Sequence, residues 1–252
     1  MSYTGGGFDS RVRNLLLPFP EPPSHMLLWL DSSDLRGTNG SPIDEWRDRS
    51  GYGNHATAAG AQRPTLSVAS GINGLPAVVF DNSQTQFFNL PAGFSDFAAG
   101  LTLYVVHSPI NTLGVPKALV GLSNAAVNST YSFVINTSNG ATGLITLQPG
   151  LEISAAAGVQ TYAPCIFECR LPAGAAGSAI AADVYFNNVL IASGPSQVPL
   201  NTVRTLNFIG SDAIGSVFMY GGEMAEVILY PFALTAAQRA AVYAYFAYKY
   251  AL

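Results

Sequence analysis

Only the last segment of this chain has the apolar periodicity of a substantial helix. Val242, Tyr243, Phe246, Ala247 and Tyr250 form a stripe at helical spacing, and Thr235 with Gln238 makes a capping box at its start. The spacing predicts a helix over 235–250, packed on whatever precedes it. Upstream the chain offers short strand patterns instead. Leu27–Leu30, Ala77–Phe80, Leu101–His107, Tyr131–Ile135, Gly143–Leu147, Leu206–Gly210 and Ala225–Tyr230 are apolar or alternating runs set between turn residues. Asp183–Ile191 reads as two strands around an Asn187-Asn188 turn, because Asn tolerates the positive φ of tight hairpins. The helix-length patterns that parallel strands require between them are missing. An all-β, two-sheet antiparallel sandwich with one C-terminal helix is the expected fold.

At 252 residues, one large β-domain accommodates the chain. Charged residues make up only 10% against 49% hydrophobic, so much of the surface is expected to be neutral or covered by partners. The net charge of −4, with Lys117 and Lys249 as the two lysines, gives no footprint for a polyanion, and nucleic acid is excluded as an expected partner. No apolar stretch approaches the roughly 18 residues of a membrane helix, so no membrane insertion is expected. Cys165 and Cys169 on one strand would lie about 13 Å apart at ~3.3 Å per residue. That is beyond disulfide reach, so both are expected to be buried thiols. The first residues lack a basic start followed by an apolar run, so no secretion signal is read there.

Residues 1–25 differ from the rest. Three glycines are followed by Arg11, Arg13, Leu15, Leu16, Leu17 and Phe19, then by Pro20, Pro22 and Pro23. The prolines impose extended backbone, whereas the apolar residues are too many for an idle linker. An extended arm is expected here, with Phe8, Arg11, Arg13, Leu15, Leu16, Leu17 and Phe19 as assembly anchors. Residues 26–252 form the expected domain.

Three segments within that domain carry a likeness. One is Leu28-Trp29-Leu30-Asp31 with Trp46-Arg47-Asp48-Arg49-Ser50-Gly51-Tyr52-Gly53-Asn54-His55-Ala56. Another is Pro64 leading to Asn73-Gly74-Leu75-Pro76-Ala77-Val78-Val79-Phe80-Asp81. The third is Ala225–Tyr230 with the terminal helix, and Val184–Ile191 fits the same family's hairpin. In this order they resemble the concanavalin A-like lectin/glucanase superfamily, in its laminin-G-like jelly-roll branch, over residues 26–252. The resemblance implies a jelly roll with a concave face and variable loops, and uses ranging over glycan binding, adhesion and virion structure. Around the loop, Asp48 is expected to accept backbone hydrogen bonds and Trp46 to pin the segment on the sandwich. Gly51 and Asn54 complete this structural loop.

Glycosidases of that superfamily need two carboxylates on one strand face. Here Glu152, Glu168 and Asp183 stand alone, and Glu223 and Glu226, three apart, would point to opposite faces of a strand. No catalytic residue is assigned. His25, His55 and His107 lack ligand spacing, so no metal and no cofactor is implied; Asp81 and Asn82 are the nearest to a loop calcium that relatives sometimes carry. Gly51-Tyr52-Gly53-Asn54-His55-Ala56 lacks the strand and helix of a dinucleotide fingerprint. The expected function is therefore a non-enzymatic virion component, a phage decoration or tail protein at the virion surface. Its partners would be other virion proteins or copies of itself, with a host-surface glycan as a further ligand. The alternative is a carbohydrate-binding or adhesion module at a bacterial surface or outside the cell, with Tyr131, Tyr162, Tyr185 and Tyr220 as sugar-stacking candidates.

Overall fold

The computed structural model describes residues 21–109, 117–124, 133–138, 142–147, 152–154, 163–212 and 219–252. Among these, sixteen strands and one α-helix follow in chain order, besides two single-turn 3-10 helices at Ser32–Asp34 and Gly60–Gln62. They begin with β1 (Leu28–Asp31), β2 (Glu45–Trp46), β3 (Ala56–Thr57), β4 (Thr65–Ser67), β5 (Ala77–Phe80) and β6 (Phe88–Leu90). Next come β7 (Leu101–Pro109), β8 (Lys117–Ser123), β9 (Phe133–Ser138), β10 (Thr142–Leu147) and β11 (Glu152–Ser154). The last are β12 (Cys165–Leu171), β13 (Ala179–Phe186), β14 (Val189–Gln197), β15 (Leu206–Ile209), β16 (Gly222–Tyr230) and α1 (Ala236–Tyr250). They build two antiparallel sheets. The first runs β14-β13-β12-β7-β16-β5-β4, with β1 also on β16; the second runs β11-β10-β9-β8-β15-β6-β3-β2. This is the two-sheet sandwich with a terminal helix that the strand pattern predicts.

Strand alternation divides the first sheet into two buried faces. Leu28 and Leu30 of β1, Leu103 and Val105 of β7, Phe167 and Cys169 of β12, and Val227 and Leu229 of β16 point between the sheets. Tyr104, Val106, Ile166, Ile228 and Tyr230 point the other way, onto α1. Strands buried on both sides read as continuous apolar runs, which explains Leu101–His107 and Ala225–Tyr230. Helix α1 starts as expected: the Thr235 hydroxyl accepts from Gln238 N, and the Gln238 side chain returns to the Thr235 N–H. Its buried face is Val242, Tyr243, Tyr245, Phe246 and Tyr250. Ala247 is exposed, a correction to the predicted stripe, and Tyr245 takes its place one turn after Val242.

The Asn187-Asn188 turn has φ of 47° and 64°, as a two-residue hairpin loop requires. Cys165 and Cys169 are free and buried. Glu223 and Glu226 share a face of β16, contrary to the period-two expectation. A bulge between Met224 and Glu226 shifts the register, so Glu223 lies opposite Ser108 and Glu226 opposite Val106.

Asp48 organises the loop that follows β2. Its Oδ1 accepts from Trp29 N and Ser50 N, each at 2.9 Å. Its Oδ2 accepts from Ser50 Oγ at 2.7 Å and Asn54 N at 2.9 Å. Asn54 Nδ2 in turn donates to Leu27 O at 2.8 Å. Gly51 and Gly53, at φ of 91° and 74°, take turns that side chains resist. Trp46 lies wholly in the core, tilted against Phe88. Asp48→Ala should cost about 2–3 kcal/mol, since one carboxylate serves four donors. That corresponds to a Tm lower by about 4–12 °C in a thermal melt.

Candidate functional site

Helix α1 closes the outer face of the first sheet, and it does so with buried charge as well as apolar contact. Glu168 on β12 receives Arg239 Nε at 2.5 Å and Nη2 at 2.8 Å, together with the Tyr243 hydroxyl at 2.8 Å. Glu226 receives Trp29 Nε1 at 2.6 Å, Tyr245 OH at 2.9 Å, Tyr250 OH at 2.6 Å and Lys249 Nζ at 2.8 Å. Lys249 Nζ also lies 2.7 Å from Asp31 Oδ2. Burial pushes the Glu226 carboxyl above its usual range despite Lys249. Burial acts upward on Asp31 too, but Lys249 and the Ser33 hydrogen bonds outweigh it and leave that carboxyl below its usual range. Asp31 and Glu226 are thus neighbouring acids on paired strands, sealed beneath a helix. They tie α1 down.

The second sheet presents a different outer face. Register places Glu45, Thr57, Asn89, Phe208 and Gly121 in one row across β2, β3, β6, β15 and β8. Glu45, Thr57 and Asn89 are exposed. Phe208 packs edge-on against Phe87 at 5.3 Å between ring centroids, and both are nearly buried, so neither offers a free ring face.

The Glu45 end of this row opens into a cleft of about 450 Å³. Backbone bonds zip its wall to β4: Gly40 N to Leu66 O at 2.7 Å, Leu66 N to Ser41 O at 2.9 Å, and Ile43 N to Pro64 O at 2.9 Å. Leu35, Ile43 and Leu66 give it apolar lining, and Asp34, Arg36, Asp44, Glu45 and Arg47 give it charge. Each acid faces a guanidinium. Asp34 Oδ2 is 3.4 Å from Arg49 Nε, Asp44 Oδ1 is 3.0 Å from Arg63 Nη1, and Glu45 Oε1 is 2.8 Å from Arg47 Nε. Arg36 differs: its Nη1 donates to the carbonyls of Ser33 and Leu35 at 2.8 and 2.9 Å. Such a cleft can hold a polar ring, with C–H faces on the aliphatic side chains and hydroxyls on the charged ones.

The tyrosines proposed for sugar stacking fall elsewhere. Tyr220 is fully buried between the sheets, a correction, and its hydroxyl meets His107 Nδ1 at 3.1 Å. Tyr185 is half-buried on the helix side, with the Arg239 guanidinium 3.7 Å above its ring. Tyr131 and Tyr162 lie outside the described residues, as do the arm anchors Phe8, Arg11, Arg13, Leu15, Leu16, Leu17 and Phe19. Asp81 spends Oδ1 on Ser83 N and Oγ in a local turn. Among the described residues no three His, Cys, Asp or Glu side chains gather as metal ligands. No described helix is long and apolar enough to cross a membrane. The cleft residues escaped sequence reasoning because Asp31–Asp34 reads as a strand terminator and Asp44-Glu45 as a solvated turn.

No family model matches the chain, and no curated protein matches it. Solved structures do. Trypanosoma rangeli sialidase, in complex with sialic acid, superposes with a TM-score of 0.55 at 12% identity, over 88% of this chain and 33% of the sialidase. The chain therefore spans about a third of the length of that enzyme. Domain 4 of AbnA, an extracellular GH43 arabinanase from Geobacillus stearothermophilus in complex with arabinotriose, gives 0.55 at 14% identity, over 85% of this chain and 96% of that domain. The binding domain of Paraclostridial Mosquitocidal Protein 1 gives 0.56 at 12% identity, over 87% and 52%. At such identities the likeness establishes the β-sandwich fold.

Proposed function

We propose that this chain is a non-catalytic glycan-binding module that works at a cell surface or outside the cell. The observation that carries the reading is the cleft at the Glu45 end of the second sheet: aliphatic side chains beside paired carboxylates and guanidinia suit a sugar's C–H face and hydroxyl edge together. The arabinanase domain, which this chain matches nearly end to end, was solved with an arabinose oligosaccharide, and this supports the choice of ligand class. The buried acids Glu168 and Glu226 serve the helix, so the reading assigns no residue to bond cleavage. The virion-component expectation draws on an arm whose anchor residues lie outside the described set, together with the low charge of the body, and it gains nothing from the neighbours named above.

A glycan array followed by titration calorimetry tests this. Oligosaccharide binding is expected, weakened about 10- to 100-fold in Asp44→Ala and in Glu45→Ala, the effect of losing a charged hydrogen-bond acceptor. An array without hits would sink the reading. Release of reducing ends from a bound oligosaccharide would replace it with hydrolysis.

A further inference from the structure

We infer that the cleft selects a sugar bearing a carboxylate, gripped by Arg36; the inference rests on the glycan-binding reading. Four guanidinia border or buttress this cleft. Those of Arg47, Arg49 and Arg63 each face an acid. The Arg36 side chain, by contrast, has no carboxylate partner among the described residues; its hydrogen bonds go to backbone carbonyls.

Its orientation is already set. Both Nη1 hydrogens go to backbone carbonyls, those of Ser33 and Leu35. That fixes the plane of the guanidinium and leaves the parallel N–H bonds of Nε and Nη2 as the available edge. Arg239 shows in the same molecule what this edge does, holding the two oxygens of Glu168 through Nε and Nη2 at 2.5 and 2.8 Å. A carboxylate matches the edge with two charge-assisted bonds, whereas a neutral hydroxyl engages one N–H at a time. Because the backbone carbonyls hold the guanidinium beforehand, less rotamer freedom is lost on binding. The hydroxyls of the same ring can donate to Asp44 and Glu45, whose charges are balanced by Arg63 and Arg47.

The test titrates the full chain with uronate and sialoside oligosaccharides, their methyl esters, neutral oligosaccharides and sulfated ones. Esterification removes the charge and keeps the ring. It should weaken wild-type binding about 10- to 100-fold, and it should have no further effect in Arg36→Gln. Arg36→Lys should recover only part of the loss, because an ammonium cannot form the paired contact. A thermal melt of both variants checks the turn that Arg36 helps to hold. Whichever acid, uronate or sialoside, carries the effect identifies the sugar. Equal binding of acid and ester, undiminished binding of the acid by Arg36→Gln, or preference for the sulfated sugars would each overturn the inference. Neutral sugars binding alone, with the Asp44→Ala loss intact, would remove the carboxylate and leave glycan recognition standing. No sugar binding at all would remove both.

Discussion

Acidification from pH 6.5 to pH 4 is expected to strip roughly 3 kcal/mol of stability through His107 alone. This imidazole is fully buried between the sheets, facing the Tyr220 hydroxyl at 3.1 Å and Cys165 Sγ at 3.4 Å, with no acid hydrogen-bonded to it among the described residues. Burial lowers its pKa from 6.5 to about 3. The folded value lies below the unfolded one, so the contribution is complete above pH 6.5 and drains away as pH falls, because the unfolded chain takes up the proton first. Glu226 runs the other way: its raised folded value makes it favourable below the usual carboxyl range and less so above it. Asp31, lowered, adds stability that is lost only as pH falls below 3.8. Glu226 regains stability as pH falls from its raised folded value toward 4.5 and so opposes the His107 loss over part of the range, which makes the comparison with His107→Gln the way to isolate the His107 slope. Urea titrations at pH 7, 6, 5 and 4 should show it, and Tm should drop by about 6–12 °C across the range. His107→Gln should be less stable at pH 7 and flatter with pH. An unchanged slope in that variant would assign the acid sensitivity elsewhere.

Glu226→Ala should be the most damaging single substitution beneath the helix, at about 3–5 kcal/mol, the cost of leaving several buried donors without an acceptor. Three donors lose their acceptor at once: Trp29 Nε1 and the Tyr245 and Tyr250 hydroxyls. Lys249 keeps Asp31, so its charge is not stranded. A Tm lower by about 6–20 °C is expected, with the near-ultraviolet signal of Trp29 altered as the helix loosens. Glu226→Gln should also be destabilising, since an amide brings N–H groups into a nest of donors. Adding Lys249→Met to Glu226→Ala should cost less than Lys249→Met does alone, because the pair is coupled. Additive losses would show that Lys249 acts through Asp31 only.

The sandwich was legible because its strands speak in two patterns. Leu101–His107 and Ala225–Tyr230 are near-continuous apolar runs, interrupted only by Thr102, His107 and Glu226, since both sides are covered, one by the second sheet and one by α1. The capping box at Thr235 and the Asn187-Asn188 turn are local devices, and local chemistry is what a sequence displays most directly. Asp48 belongs with them, as its partners Ser50 and Asn54 are within six residues. What a sequence hides is pairing at a distance. The two-residue strands β2 and β3 carry no periodicity at all. The bulge before Glu226 follows from the register with β7, set more than a hundred residues away. Tyr220 resembles any surface tyrosine until the fold puts it against Phe80 and His107. The cleft is of this kind too: Asp34, Arg36 and Asp44 look like ordinary turn residues, and only the backbone ladder between residues 40–43 and 64–66 makes them face one space.

The position of β16 has a consequence for how the chain comes to be made. It is the last strand in the chain, yet it lies in the middle of its sheet, bonded to β7 on one edge and to β5 and β1 on the other. Leu28 must wait for Leu229, a separation of roughly 200 residues that takes a ribosome on the order of 10–40 s to synthesise. Throughout that interval β1, β5 and β7 carry sticky, unpaired edges. Contacts so distant in sequence also make for slow closure once they can form, so the nascent polypeptide is a natural client for chaperones until its final strand emerges.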